Sequence, residues 1–310
     1  MNSIQPPAQP APNSALIGLF SALGCFSFWG LFPIYFKLLQ QVPALEVLAH
    51  RVLGSALLLL AMVLARSQWA ALRVEFHNCR RLGFYLLTAL LISGNWLLYI
   101  WAVQQGRILE ASLGYYINPL VNVLLGVLFL GERLNPRQLL AVLIAAAGVL
   151  ILVIGHGVFP WISLILALSF GSYGLLRKKA GHPPMLGLCV ETALIAPLAL
   201  LFLIAQGGGA LGAVNGATDA LLLAAGPVTV FPLLMFLDAT QRLRLSTVGL
   251  IQYLTPTLQF LLAVAVYREP FTAIHLAAFG CIWLALALYS TDAWFGHRAL
   301  RYSRFSRGHN

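Results

Sequence analysis

Charge is scarce in this chain. Of its 310 residues only 28 are Lys, Arg, Asp or Glu, about a third of the density of an ordinary soluble domain. That excludes a typical water-soluble enzyme, which needs a charged surface. Acids are scarcest, nine against nineteen Lys and Arg. The basic residues punctuate apolar runs and never collect into a domain, so the formal charge of +10 fits membrane topology rather than nucleic acid. Cys25, Cys79, Cys189 and Cys281 are scattered singly, with no CxxC and no metal-ligand spacing. They read as helix packers, with no disulfide framework, metal or cofactor implied. The Pro-rich start (Gln5, Pro6, Pro7, Pro10, Pro12) lacks a cationic n-region and is not read as a cleaved signal peptide.

What the chain does have is apolar length. Hydrophobic residues make up 60% and the mean hydropathy is +0.86, more than one core can hide, so much of it must face lipid. A bilayer core ~30 Å thick takes roughly 20 apolar residues per helix. Uncharged stretches bounded by charge, Pro and Gly predict ten helices, over 15–37, 43–65, 83–105, 111–131, 136–155, 159–176, 184–205, 217–239, 246–267 and 272–292. The expected fold class is an all-α polytopic membrane protein. Its two longest loops, Ser67–Arg81 and Gln206–Gly216, are too short for a soluble domain, so function has to lie within the helices.

Basic residues set the expected orientation. With both termini cytoplasmic, inner segments hold fifteen, including Arg80, Arg81, Arg133, Arg177, Lys178, Lys179, Arg242 and Arg298, against Lys37, Arg107 and Arg268 outside. Arg51 lies inside the second helix.

The two halves also align. At an offset of 137, Glu132 falls on Glu269, Pro119 on Pro256, Tyr116 on Tyr253 and Arg107 on Arg244. At 141, Phe28-Trp29-Gly30 falls near Ser169-Phe170-Gly171 and Lys37 falls on Lys178. The expected organisation is a disordered tail (1–14), a first five-helix unit (15–155), a second (156–292) and a basic cytoplasmic tail (293–310). Because five is odd, the second unit enters from the opposite side. Such an inverted repeat can open one central site first to one side and then to the other.

Several strings carry a resemblance. Glu110-Ala-Ser-Leu-Gly-Tyr-Tyr-Ile-Asn-Pro119-Leu-Val-Asn122, the following Leu130-Gly131-Glu132-Arg133, Gly94-Asn95-Trp96-Leu97-Leu98, His50-Arg51-Val52, Arg177-Lys178-Lys179 and Arg242-Leu-Arg-Leu-Ser-Thr247 closely resemble those of the RarD family. That family lies in the EamA group of the drug/metabolite transporter superfamily, and the likeness runs from about Leu16 to Asp292. The resemblance implies a multi-pass permease of the bacterial inner membrane, built of two five-helix repeats and described as chloramphenicol-sensitive or as a drug/metabolite exporter. It carries over neither a substrate nor site residues.

Polar side chains at membrane depth are costly, so each is a site candidate. Glu46 and His50 share a face of the second helix, with Arg51 about 100° round from His50. Two readings stand: Arg51 pairs with an interfacial Glu46 or a backbone carbonyl, or Arg51 or His50 meets an anionic part of a substrate. Glu191, roughly 10 Å past Pro184 along its helix, has no basic residue within a turn. It is the leading candidate for proton coupling or cation binding, with Glu46 behind it, against a structural bond to another helix. Asp238 reads as a snorkelling partner of Arg242. Asn95, Trp96 and Tyr99, then Tyr115, Asn118 and Asn122 beside Pro119, and Gln252, Tyr253 and Gln259 beside Pro256 would form an amide and aromatic lining. The two prolines free carbonyls for a cavity or gate. Trp29 would pack over a ligand or simply between helices, while Trp69, Trp161 and Trp294 suit the interfacial belt. The stripe Ser163, Ala167, Gly171 suits close helix contact.

No GxxxxGK[ST] loop implies an ATPase or an ATPase partner, and neither HExxH nor GxSxG occurs. A secondary transporter exporting small amphipathic metabolites or drugs is therefore the expectation, acting as a monomer in the lipid bilayer on a small-molecule substrate. The alternatives are an integral membrane enzyme, for which catalytic motifs are missing, and a membrane receptor, for which a soluble output domain is missing.

Overall fold

The computed structural model describes residues 12–105, 107–156, 160–207, 209–265 and 273–306, and every element in them is an α-helix. A chain facing lipid has no water to satisfy its backbone, and helices satisfy it internally. Each predicted apolar segment coincides with one helix or a broken pair. The first half holds α1 (Pro12–Gly30), α2 (Phe32–Leu38), α3 (Ala44–Ala65), α4 (Trp69–His77), α5 (Cys79–Gln104), α6 (Ile108–Leu130) and α7 (Pro136–His156). The second holds α8 (Trp161–Ala180), α9 (Pro184–Ala205), α10 (Gly216–Arg242), α11 (Leu245–Ile251), α12 (Leu254–Ala265) and α13 (Ala273–Ser306).

Among the described residues seven stretches are long and apolar enough to cross a membrane, namely α1 with α2, then α3, α5, α6, α7, α9 and α10. A shorter apolar stretch, Leu276–Tyr289, lies in α13. Their outer faces carry exposed large hydrophobics such as Phe20, Leu57, Leu223 and Ile154, the last 76% exposed, as lipid contact requires.

The structure corrects two predicted continuous helices. The first segment breaks at Leu31, because Pro33 has no amide to donate to the Trp29 carbonyl; that carbonyl instead accepts from Gln259 Nε2 at 3.3 Å. The ninth breaks at Gln252–Tyr253, where Pro256 cannot reach back to Gln252 and the Gln252 carbonyl accepts from the Thr255 amide at 3.0 Å. α6 runs unbroken through Pro119. The stretch read as a loop after α3 contains α4, which buries Leu72 and Glu75. The basic C-terminal tail continues α13 as far as Ser306.

The packing has a regular pattern. α3 packs on α9, α7 on α13 and α6 on α11. The other main contacts come in pairs: α6 on α8 with α1 on α12, α5 on α8 with α1 on α10, and α3 on α10 with α5 on α9. The small-residue stripe does serve close contact. Ser163 and Ala167 are fully buried against α6, and Asn118 Nδ2 donates to the Ala167 carbonyl at 3.3 Å.

Candidate functional site

A narrow cavity lies between α1, α2, α3, α5, α6, α8 and the α11–α12 break. Seven of its thirteen lining residues are aromatic: Trp29, Phe32, Phe36, Trp96, Tyr99, Tyr115 and Phe170. Among the described residues the lining includes Arg51 and no Asp or Glu.

The helices set its polar groups. Asn95 is fixed by α8, its Nδ2 donating to the Leu166 carbonyl and to Ser169 Oγ, both at 2.8 Å. Asn122 donates to Asn118 Oδ1 at 3.0 Å and to Gln252 Oε1 at 2.9 Å, tying α6 to the α11–α12 break. Trp29 packs edge-on to Phe170 with centroids 5.4 Å apart, and both meet Phe236, building an aromatic floor.

Arg51 is 3% exposed. Its Nε donates to Thr229 Oγ1 on α10 at 3.0 Å, and its guanidinium lies 4.5 Å over Trp96 and 5.5 Å over Phe36. The ionisable groups that act on it are the phenols of Tyr35, Tyr99 and Tyr115, with no carboxylate among them. The expected pairing with Glu46 does not form. Glu46 turns to the loop before α10, where it accepts from the Ala210 amide, and His50 Nε2 stands 3.9 Å from its Oε1.

Beyond the aromatic floor lies a buried polar cluster. Glu191 Oε1 accepts from Thr88 at 2.6 Å and from Arg177 Nη1 at 3.3 Å, and Glu191 Oε2 accepts from Tyr173 at 3.2 Å. Arg177 and Glu191 are 2% and 1% exposed. Gly187 makes room for the cation, since a Cβ there would fall 2.0 Å from Arg177 Nη1. Arg177 Nη2 reaches the Pro184 carbonyl at 3.2 Å. Nearby, Glu75 of α4 accepts from Arg81 at 2.6 Å and from Tyr85 at 3.0 Å. Asp238 pairs with Arg242 at 2.7 Å, as the sequence suggested.

Of the residues singled out from sequence, Trp29, Arg51, Asn95, Trp96, Tyr99, Asn118 and Gln252 come together around the one cavity. His50, Tyr253, Glu46 and Glu191 lie outside its lining. Tyr253 is fully buried, packed with Tyr116 and Phe279. Reading Arg177 as a loop charge missed its role, because an RKK run at a helix end looks like a solvated cluster. Its only sequence signal is that Gly181 stops α8 one turn later, leaving Arg177 inside the helix. Glu269 and Arg268, and the side chains of Glu110, Trp294 and Arg298, lie outside the described residues. Among those described, no cluster of three His, Cys, Asp or Glu side chains is placed to hold a metal ion.

The EamA-like transporter family model matches this sequence twice, over residues 16–154 and 160–291. An uncharacterized transporter, YojE, of Bacillus subtilis is 46% identical over 92% of this chain and 95% of its own. The protein RarD of Escherichia coli K12 is 44% identical over 91% and 96%, and a chloramphenicol-sensitive protein RarD of Pseudomonas aeruginosa is 34% identical over 89% and 94%. A solved crystal structure shares the fold with a TM-score of 0.68, covering 91% of this chain and 97% of its own at 22% identity.

Proposed function

Since the chain belongs to the EamA-like transporter family, and within it to the RarD proteins, we propose that this membrane transporter is a secondary carrier of the bacterial inner membrane that exports small amphipathic molecules by alternating access. The observation that carries the reading is the aromatic and amide cavity lined by helices from both halves of the chain. Ten spans in two inverted five-helix units fit it best. The paired helix contacts and the two successive family-model matches both support that arrangement.

In this reading the aromatic cluster of Trp29, Phe170 and Phe236, with the Arg177–Glu191 pair beyond it, serves as the gate at one end of the cavity. Opening that end requires the pair to part. A proton on Glu191 removes the attraction that holds it, which makes Glu191 the coupling residue of this proposal. Glu191→Gln keeps the shape and removes the titration, so gradient-driven transport is lost while substrate exchange is partly retained. Unchanged proton-driven transport would assign Glu191 to structure alone.

Transport itself is tested with the full chain in proteoliposomes loaded with candidate solutes. Asn95→Ala and Tyr99→Ala should each abolish or strongly reduce exchange. Equal rates in both variants and the wild type would remove the cavity from the pathway. The exposed thiol of Cys79 tests orientation, because Arg80 and Arg81 beside it favour a cytoplasmic position for this loop. A membrane-impermeant maleimide should label it in inside-out vesicles and miss it in intact cells; the opposite pattern inverts the topology.

A further inference from the structure

Resting on the reading of the cavity as a substrate site, we propose that it selects anions: a molecule with an aromatic or apolar body and one carboxylate, or an equivalent monoanion, held by Arg51.

The argument starts from what Arg51 leaves unused. Only its Nε is hydrogen bonded, to Thr229, while both terminal nitrogens make no hydrogen bond among the described residues and lie at the cavity wall. A guanidinium has five N–H donors in a planar fork that matches a carboxylate bidentately. Trp96 and Phe36 offset part of its desolvation through their ring faces but accept no hydrogen bond in the plane of the fork. A cation this buried, with no carboxylate partner among the described residues, is a ligand site by default at membrane depth. The rest of the lining points the same way. Among the described residues the lining contains no acid to receive an amine, and the ring faces of Trp29 and Phe170 suit a flat or apolar body. A neutral amphipathic molecule would leave the fork unfilled, and a cationic one would be repelled by it.

The probes are 3-phenylpropionate, its amide 3-phenylpropionamide, and the amine 3-phenylpropylamine, titrated at neutral pH into the purified full-length protein. Emission of Trp29 and Trp96 reports occupancy from inside the cavity. Carboxylate binding should exceed that of the amide by at least about tenfold, the scale of a charge-assisted bidentate contact, and the amine should bind weakest. Arg51→Gln should erase the carboxylate's advantage, while Arg51→Lys, which keeps charge without the fork, should retain part of it. Equal binding of amide and carboxylate, a preference for the amine, a preference that survives Arg51→Gln, or no saturable carboxylate binding at millimolar concentration would each overturn the proposal. The wild-type comparison needs no variant to fold. In proteoliposomes the two readings separate: carboxylate exchange unaffected by Arg51→Gln keeps the carrier and discards the anion site. Selective carboxylate binding with no exchange of any solute keeps the site and discards the carrier.

Discussion

α3 and α9 begin alike and differ in the sign of the charge each carries in eighth place. Each is 22 residues long, each is N-capped by a proline (Pro43 and Pro183), each carries a charged residue in eighth place, and the two pack on one another. On α9 that residue is Glu191, and the preceding helix supplies Arg177 to meet it. On α3 it is Arg51, and the preceding helix supplies Phe36, a ring that cannot neutralise it. One charge is closed into a pair while the other is left open to a cavity. On the proposed reading, a binding site arises here by omission of one member of an ion pair. The two charges should therefore respond differently to removal.

The largest difference is expected from truncating the two arginines. Arg177→Met leaves the Glu191 carboxylate buried without its cation, a change that costs about 3–5 kcal/mol when a buried pair is broken from one side. Arg51→Met leaves no acid stranded and should lower stability far less while abolishing carboxylate selectivity. Thermal unfolding of the two variants in the same detergent checks this. Adding Glu191→Leu to Arg177→Met should recover most of the loss, as replacement of a whole buried pair by apolar groups commonly does. Equal destabilisation by both arginine variants would break the comparison.

Next in size is the fourth position of each helix. Gly187 of α9 leaves space that the Arg177 guanidinium fills, whereas Val47 occupies the same place on α3. Gly187→Ala should cost roughly 1–3 kcal/mol, the usual penalty of overpacking, by pushing Arg177 off Glu191. Val47→Ala should act only as a lost methyl pair. A Gly187→Ala protein as stable as wild type would show that the pair tolerates displacement.

How much of this was legible in the sequence depends on the physics at each residue. The apolar segments were visible because lipid imposes a length, and Asn95, Trp96, Tyr99 and Asn118 stood out because polar groups are rare at that depth. The break at Leu31 and the one at Gln252–Tyr253 were not, since a proline permits a break without requiring one. Pro119 sits in an unbroken helix. Which nitrogen meets which carboxylate was beyond periodicity. Arg51 was weighed against Glu46 because they are near in sequence, yet its actual neighbours come from α2, α5 and α10, and Arg177 was hidden in a basic run that resembles a loop.

A smaller effect should follow from loosening Arg51 without removing it. Thr229→Val keeps volume and deletes the Oγ1 acceptor that fixes Nε. A hydrogen bond to a charged group contributes roughly 1.5–3 kcal/mol, so a loss of carboxylate affinity of about tenfold, the lower end of that range, is expected. The fluorescence titration used for Arg51 measures it. Unchanged affinity would mean that Trp96 and Phe36 alone orient the guanidinium.

The smallest effect concerns the residue before each proline cap, Val42 ahead of α3 and His182 ahead of α9. Val42 is buried and cannot titrate. His182 packs its ring on Phe84 and Tyr85 with centroids 5.5 and 5.3 Å away, and its Nδ1 is buried with no hydrogen-bond partner. Burial lowers its affinity for a proton below that of an ordinary imidazole; Glu75 opposes this, and Arg81 and Arg177 add to it. The sign follows from linkage: a proton that binds the unfolded chain more readily than the folded one destabilises the fold as pH falls. Stability should therefore hold steady above the ordinary histidine value near 6.5, decline as pH drops below it, and level off once the folded-state histidine is itself protonated. His182→Val makes the entrance to α9 resemble that to α3 and should flatten this part of the profile. Thermal unfolding of wild type and variant at pH 7.5 and 5.5 decides it, since an equal acid-induced decline in both proteins would place the responsible group elsewhere.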